Sequence, residues 1–462
     1  MAPDSPNFTA STITARTGSA PTDGSTALER RHRVVVIGAG FGGVETVKSL
    51  ADTPIDVVLV DANNFHTFQP LLYQVATAGL DADDIAYPVR GVVQRQHNVD
   101  VRFGRVTDID LAARRLTLSD GPPIDYDELV VSAGAVTADY GIPGITEHAF
   151  GLKSLDDAVA LRTHVLRQFE RAAVDPSSID SGTLNVVIAG GGPTGVELAG
   201  GYTELVSKVL RRDFPNLDVR RARIVLVEPT DRLLGAFHPK LSATARRALA
   251  HRGVEVVLGE MVAGYDGKFV ELGGGERIPC TTLVWTAGVK AGPLAEMLAA
   301  QCVGPGGDLA GGLDRGGRVR VGDDLTLPGH PEVFVIGDLA GARDASGELY
   351  PQVAPVAIQG GRYVAGVIRG RLDGSTPARF HYRDKGTMAT IGRHDAVAQL
   401  PFGIRLSGPL GWLSWLALHL VMLIGFRNRV NVLVNWAWNY VTYDRASRLI
   451  VGEERRARDR AG

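Results

Sequence analysis

The chain has 462 residues, 45% of them hydrophobic and 22% charged, with a formal net charge of −2. That length allows two or three domains with sizeable cores, and the near-neutral charge gives no electrostatic footing for a nucleic-acid partner. Two cysteines, Cys280 and Cys302, provide neither a disulfide framework nor a metal cluster, so no metal is expected. They read as buried small hydrophobes.

Residues 1–31 are rich in Ser, Thr, Ala and Pro and contain no apolar run of the length a secretory signal needs, so a disordered tail is expected. Asp4, Asp23 and Glu29 argue against a mitochondrial transit peptide. The run Val34-Val35-Val36-Ile37 leads straight into Gly38-Ala-Gly40-Phe-Gly-Gly43, which reads as strand, tight turn and helix. In a dinucleotide-binding turn the first glycine allows the bend and the second lets the backbone approach a pyrophosphate. The third lets helix and strand pack closely, with the anion on the helix N-terminus. Taken singly, such turns also occur in folds that bind nothing.

Asp56 to Asp61 predicts a second strand ending in an acidic residue about 20 residues past the glycines, where a carboxylate accepts hydrogen bonds from a ribose diol. Val99 to Val106 and Leu129 to Gly134 predict further strands, the latter ending in small residues suited to close cofactor approach at Gly134. The first design then returns 152 residues on, as Val186-Val187-Ile188-Ala189 followed by Gly190-Gly-Gly192-Pro-Thr-Gly195. The likeness continues from Gly43-Val44-Glu45 to Gly195-Val196-Glu197, so a βαβ unit has been duplicated and two dinucleotides are implied. Glu197 is expected in the first turn of the second helix, either favoured there by the helix dipole or acting at the site. Ile224 to Glu228 supplies the second acidic strand end. A carboxylate there favours a free ribose 2′-OH over a 2′-phosphate, hence NADH over NADPH. Leu283 to Gly288 echoes the Leu129 segment.

Val333 to Asp338 is an apolar strand ending in Gly-Asp. It reads as the returning strand of the first unit, with Asp338 near the start of the next helix as a cofactor ligand or an N-cap. The expected fold is therefore α/β, with two Rossmann-like dinucleotide-binding domains, the second inserted in the first. The predicted boundaries are 32–150 with 310–378 for the first, 151–309 for the second, and 379–462 for a membrane-associated helical region. Residues 409–426 are almost wholly apolar but borderline in length for a bilayer span. Beyond them Asn428, Asn431, Asn435, Asn439 and Thr442 form one polar stripe at helical spacing, and Val430, Leu433, Val434, Ala437 and Val441 form another face. Four of the five tryptophans, 412, 415, 436 and 438, lie in this region, which suits a membrane interface. A helical hairpin lying in one leaflet, with Arg427 and Arg429 toward anionic headgroups, is the preferred reading, and a helical dimer interface is the alternative.

With these motifs in place, the chain from about Arg33 to Ile450 resembles the flavoproteins with two dinucleotide-binding domains, and among them the type II NADH dehydrogenases, single-subunit NADH:quinone oxidoreductases. The likeness rests on both fingerprints, on Phe68-Gln69-Pro70-Leu71-Leu72-Tyr73-Gln74-Val75-Ala76, on Gly337-Asp338, on Ala354-Pro-Val-Ala357-Ile-Gln359-Gly-Gly361 and on the Trp-rich tail. The resemblance implies FAD held non-covalently by the first unit and NADH by the second. It further implies hydride transfer from nicotinamide to flavin and reduction of a membrane quinone at the cytoplasmic face of the cell membrane. Glu197 would lie near nicotinamide and flavin, and Gln359 would belong to the quinone site, where the family usually has a glutamine in place of Pro355 and often another in place of Gly360. A peripheral, monotopic attachment through the C-terminal helices and a homodimer are expected.

No cysteine precedes position 280, which excludes the flavin-to-dithiol route of related disulfide reductases. Proton pumping is not expected, because pumps need intramembrane ionisable residues along several spans. Two rivals stay open: a soluble NAD(P)H-dependent flavin reductase serving a ferredoxin-like protein, and a non-respiratory NADH-sensing flavoprotein.

Overall fold

The computed structural model describes residues 31–302, 312–375, 378–442 and 447–450; the tail expected over residues 1–31 lies, but for its last residue, outside them. In chain order the main strands are β1 (Arg33–Ile37), β2 (Asp56–Asp61), β3 (Val99–Phe103), β4 (Glu128–Val131), β5 (Val186–Ala189), β6 (Ile224–Glu228), β7 (Val254–Leu258), β8 (Thr282–Trp285) and β9 (His330–Val335). One parallel sheet runs β9-β4-β1-β2-β3, with Thr326–Leu327 antiparallel on its outer edge. A second parallel sheet runs β7-β6-β5-β8. Because β9 follows the whole second sheet in the chain yet pairs with β4, the second unit is inserted in the first. Both fingerprints leave the C-terminal ends of β1 and β5, where strand order changes direction and doubly wound sheets hold their ligands. Val34, Val35 and Val36 are fully buried, as continuous apolar runs are in parallel sheets covered on both faces.

The segment predicted as one strand from Val99 to Val106 is two. β3 stops at Phe103, the Gly104 amide turns to the Asp61 carbonyl at 2.9 Å, and Val106–Asp110 joins a separate antiparallel sheet.

The helices that shape the site are α1 (Phe41–Ser49), α2 (Leu72–Ala76), α3 (Ala82–Ile85), α4 (Pro193–Glu204), α5 (Ala354–Asp373), α6 (Gly408–Met422) and α7 (Phe426–Thr442). Between α5 and α6 an antiparallel sheet forms from β10 (Thr387–Gly392), β11 (Asp395–Gln399) and β12 (Arg405–Ser407). At 15 residues α6 is about 22 Å long, and among the described residues no helix is long and apolar enough to cross a membrane. α6 and α7 form a hairpin through Gly425, whose φ is +88°. The hairpin is built into the core: Trp415, Val432 and Trp436 are buried in one cluster with Leu71, Leu72 and Tyr73.

Asn428 and Asn435 of the α7 polar stripe face inward, the reverse of a surface helix whose polar face meets water. Asn428 donates to the Asp83 and Ala86 carbonyls at 3.2 and 3.1 Å, Asn435 donates to Asp84 Oδ2 at 2.8 Å, and Trp436 Nε1 donates to Gln74 Oε1 at 2.8 Å. The opposite face leaves Leu433, Val434 and Trp438 exposed by 52–60%. The side chains of Asn439 and Val441 lie outside the described residues.

α1 and α5 meet at two glycines. A Cβ on Gly361 would stand 2.4 Å from the Gly42 carbonyl oxygen, and Thr46 Oγ1 donates to Gly42 O at 2.9 Å in the same contact. Gly361→Ala must push the helices apart and is expected to cost about 1–3 kcal/mol of stability, read as a lowered Tm by calorimetry. An unchanged Tm would contradict so close a contact.

Candidate functional site

The first fingerprint adopts the geometry each glycine was expected to supply. Gly38 has φ +97°, which glycine alone adopts without strain. A Cβ on Gly43 would lie 1.8 Å from the Gly38 carbonyl oxygen, whereas one on Gly40 would meet nothing within 4 Å. The open position is where a pyrophosphate can approach the unpaired amides at the start of α1. Asp61 ends β2 and accepts from the Ala39 amide at 2.5 Å and the Asn63 amide at 2.6 Å. Burial pushes its carboxyl above the ordinary range, partly offset by those two amides. Each oxygen keeps a lone pair for a ribose hydroxyl.

The second fingerprint repeats this arrangement. Gly190 has φ +107°, Gly192 is open, and a Cβ on Gly195 would stand 1.9 Å from Gly190 O. Glu228 accepts from the Gly191 amide at 2.6 Å and from the Thr230 amide and hydroxyl at 3.0 and 2.7 Å. Even the neighbouring hydroxyls match. Ser132 Oγ donates to Ile37 O and Gly38 O at 2.7 and 3.0 Å, and Thr286 Oγ1 donates to Ala189 O and Gly190 O at 2.8 and 3.1 Å.

A cavity of about 1490 Å³ starts at the first fingerprint. Its walls include Gly38, Gly40, Asp61, Gly134, Asp338 and Glu197, and it continues to Leu418 and His419 of α6. It thus brings six of the sequence-predicted residues together, while Gly190, Gly192, Gly195 and Glu228 lie outside its lining. Asp338 sits in a short 3₁₀ turn, Gly337–Leu339, well before α5, so it is not the N-cap of that helix. Lys153 Nζ, from the second unit, reaches its carboxylate at 3.2 Å. Gln359 is not brought to the cavity. Its amide nitrogen donates to Arg383 O at 2.9 Å and its oxygen accepts from the Arg383 amide at 3.0 Å, so it clasps the chain behind α5, and Ala354, Pro355 and Ala357 line the cleft instead.

Glu197 is the fifth residue of α4, past the first turn expected for it, and beyond the reach of the helix-terminal dipole. Burial pushes its pKa up to about 8, so it carries a proton at neutral pH. The Thr390 amide of β10 donates to it at 3.3 Å. The Trp415 indole adds a smaller pull, and its geometry falls short of a formed hydrogen bond. Cys280 and Cys302 are buried and line no part of the cleft.

A family model described as pyridine nucleotide-disulphide oxidoreductase matches residues 32–361, and one described as the NDH2 C-terminal domain matches residues 385–442. The chain is 41% identical over 439 residues to the type II NADH:quinone oxidoreductase NdhA of Mycobacterium tuberculosis, across 92% of this chain and 91% of that one. It is 40% identical to Ndh of the same organism, across 93% of each. The chain belongs to the type II NADH:quinone oxidoreductase family. Among solved structures, NDH2 from Plasmodium falciparum in complex with NADH has a similar fold, with a TM-score of 0.83 over 92% of this chain and 100% of that one at 18% identity. The sulfide:quinone oxidoreductase from Aquifex aeolicus gives 0.67 over 91% and 96% at 17% identity. These two likenesses speak to the fold.

Lys153, Thr390 and His419 were not singled out as site residues by sequence, and Trp415 was read only as a ring suited to a membrane interface. Their roles depend on which segments pack around Glu197 and Asp338, and no local motif marks that. The raised pKa of Glu197 has a stability consequence. An acid whose folded pKa exceeds its unfolded value stabilises the fold most below the unfolded value, and that contribution is lost as pH rises through the window from the ordinary carboxylate range to about 8. Relative to Glu197→Gln, the wild-type protein should lose up to a few kcal/mol across that window. Melts over a pH series check this, and a constant gap would contradict it.

Proposed function

We propose that the protein holds FAD non-covalently in the first unit and NADH at the second, and passes two electrons to a membrane quinone without pumping protons. The observation that carries this reading is the cavity running from the first fingerprint past the protonated carboxyl of Glu197 to the C-terminal hairpin. The open backbone at Gly40 fits a pyrophosphate, Asp61 fits an adenosine ribose, and Asp338 with Lys153 fits the polar ribityl chain that joins the pyrophosphate to the flavin ring. Bound flavin supplies hydride acceptance from NADH and two-electron delivery to quinone. Glu197, neutral and shielded, would give a proton to a quinone oxygen and be reprotonated through the cleft.

The same arrangement supports peripheral attachment to a membrane surface, which in this reading is the cytoplasmic face of the cell membrane. Leu433, Val434, Trp438 and, on α6, Leu410 and Val421 turn apolar surface outward, as interfacial helices do. A lipid-soluble quinone would then reach the Leu418 and His419 end of the cavity from the bilayer. Among the described residues no helix is long and apolar enough to cross a membrane, and pumping needs ionisable residues along several spans, so the reading is of a non-pumping enzyme.

Anaerobic NADH should bleach the bound flavin, and a quinone analogue should restore its colour rapidly. Restoration by a ferredoxin but not by the quinone would overturn the assignment. Glu228→Ala should raise the KM for NADH about tenfold, by loss of charge-assisted hydrogen bonds, and narrow the preference over NADPH. Steady-state kinetics favouring NADPH in the wild type would contradict the ribose role. Leu433→Glu places a charge on the exposed face of α7 without touching the core. It is expected to weaken co-flotation with anionic vesicles about tenfold, and equal flotation would remove α7 as the attachment surface.

A further inference from the structure

His419 stands at the hairpin end of the cavity beside Leu418. Its Nδ1 lies 2.7 Å from the backbone oxygen of Trp415, and a carbonyl only accepts, so Nδ1 carries the ring proton. Burial pushes the ring's pKa down to about 4, which leaves the imidazole neutral at physiological pH with a bare lone pair on Nε2. Among the described residues Nε2 has no hydrogen-bond partner. The ring is also held in place. Trp415 stacks on one face with centroids 4.1 Å apart and planes 23° apart, and Phe68 meets it edge-on at 6.2 Å. With the Nδ1 edge tied to the backbone of α6, the Nε2 edge points away from the helix.

We propose that His419 is a specificity-determining residue of the quinone reaction: its Nε2 accepts a hydrogen bond from a ring hydroxyl of the quinol product and disfavours a quinone carbonyl at the same place. The inference rests on the quinone reading of the cleft. Overall, NADH, one proton and quinone give NAD⁺ and quinol. The hydride of NADH supplies two electrons and one proton, the carboxyl of Glu197 supplies the second proton and regains it from solvent, and each ring oxygen ends as a hydroxyl. An oxygen that arrives as a carbonyl sets its lone pairs against that of Nε2; the same oxygen leaves as a donor. The site therefore favours bound quinol over bound quinone, which draws reduction forward and slows product release.

The test uses the full-length, flavin-loaded enzyme under anaerobic conditions. Binding of a short-chain 1,4-naphthalenediol and of its di-O-methyl ether is compared by calorimetry in wild type, His419→Phe and His419→Gln. Phenylalanine keeps the stacked ring without the acceptor, and glutamine restores an acceptor oxygen. Between wild type and His419→Phe the diol-to-ether affinity ratio should fall about fivefold to tenfold, with partial recovery in His419→Gln. Taking the ratio between variants cancels the extra bulk of the methyl groups. Should His419→Phe fail to fold, as judged by flavin content, His419→Leu takes its place as the variant without an acceptor, and an unchanged ratio between it and the wild type overturns the proposal. An unchanged ratio in a folded His419→Phe also overturns it. Quinone turnover by the wild type is measured alongside, since its absence sinks the quinone reading itself, whereas turnover with an unchanged ratio sinks only the role of His419.

Discussion

The absence of a side chain at Gly43 and Gly195 sets the geometry of both nucleotide units. At each position the missing Cβ is what lets a helix close to within contact of the carbonyl that opens the preceding turn, 1.8 and 1.9 Å from where that atom would stand. Close packing aims the first amides of α1 and α4 at the C-terminal ends of their sheets. It also brings Asp61 and Glu228 within reach of the amides of Ala39 and Gly191. The strand, the turn, the helix and the acidic strand end form a single device, and the chain carries it twice.

The duplication makes the differences between the copies informative. Glu45 and Glu197 occupy equivalent positions two residues beyond the third glycine, yet their surroundings are opposite. Glu45 lies against α5 and pairs with Arg362 at 2.5 Å, so it behaves as an ordinary solvated ion pair of small energetic weight. Glu197 is covered by β10 and α6, which offer an amide and an indole but no cation, and desolvation leaves it protonated. A structural salt bridge and a proton-carrying group thus arise from the same ancestral position, through the choice of what packs on top.

That cover comes from the C-terminal region. A Cβ on Gly200 of α4 would lie 2.2 Å from Ile391 O of β10, so the antiparallel sheet seats its backbone directly on the helix that carries Glu197. Trp415 then closes the site from α6 and packs against Tyr73 and Trp436 at 6.3 and 5.9 Å. The hairpin that turns apolar surface outward is for this reason also a wall of the cleft. The exposed apolar face of the hairpin and the cover over Glu197 thus share one set of buried rings.

The sequence by itself determined the two nucleotide units, their insertion and their acidic strand ends, because each depends on short-range requirements: a positive φ, a missing Cβ, a carboxylate at the end of an apolar strand. It also marked the C-terminal stripe of asparagines, since helical periodicity is local. Which way that stripe faced was decided only in three dimensions, by the carbonyls of Asp83 and Ala86 and the carboxylate of Asp84 left for Asn428 and Asn435 to satisfy. Only the tertiary structure moved Gln359 out of the cleft to clasp Arg383, brought Lys153 to Asp338, and put Glu197 and His419 along one cavity. Those outcomes hang on contacts between segments more than a hundred residues apart, or on backbone partners that no side-chain pattern encodes. Desolvation, which tunes Glu197 and His419 alike, is a property of the packed surroundings and of no residue alone.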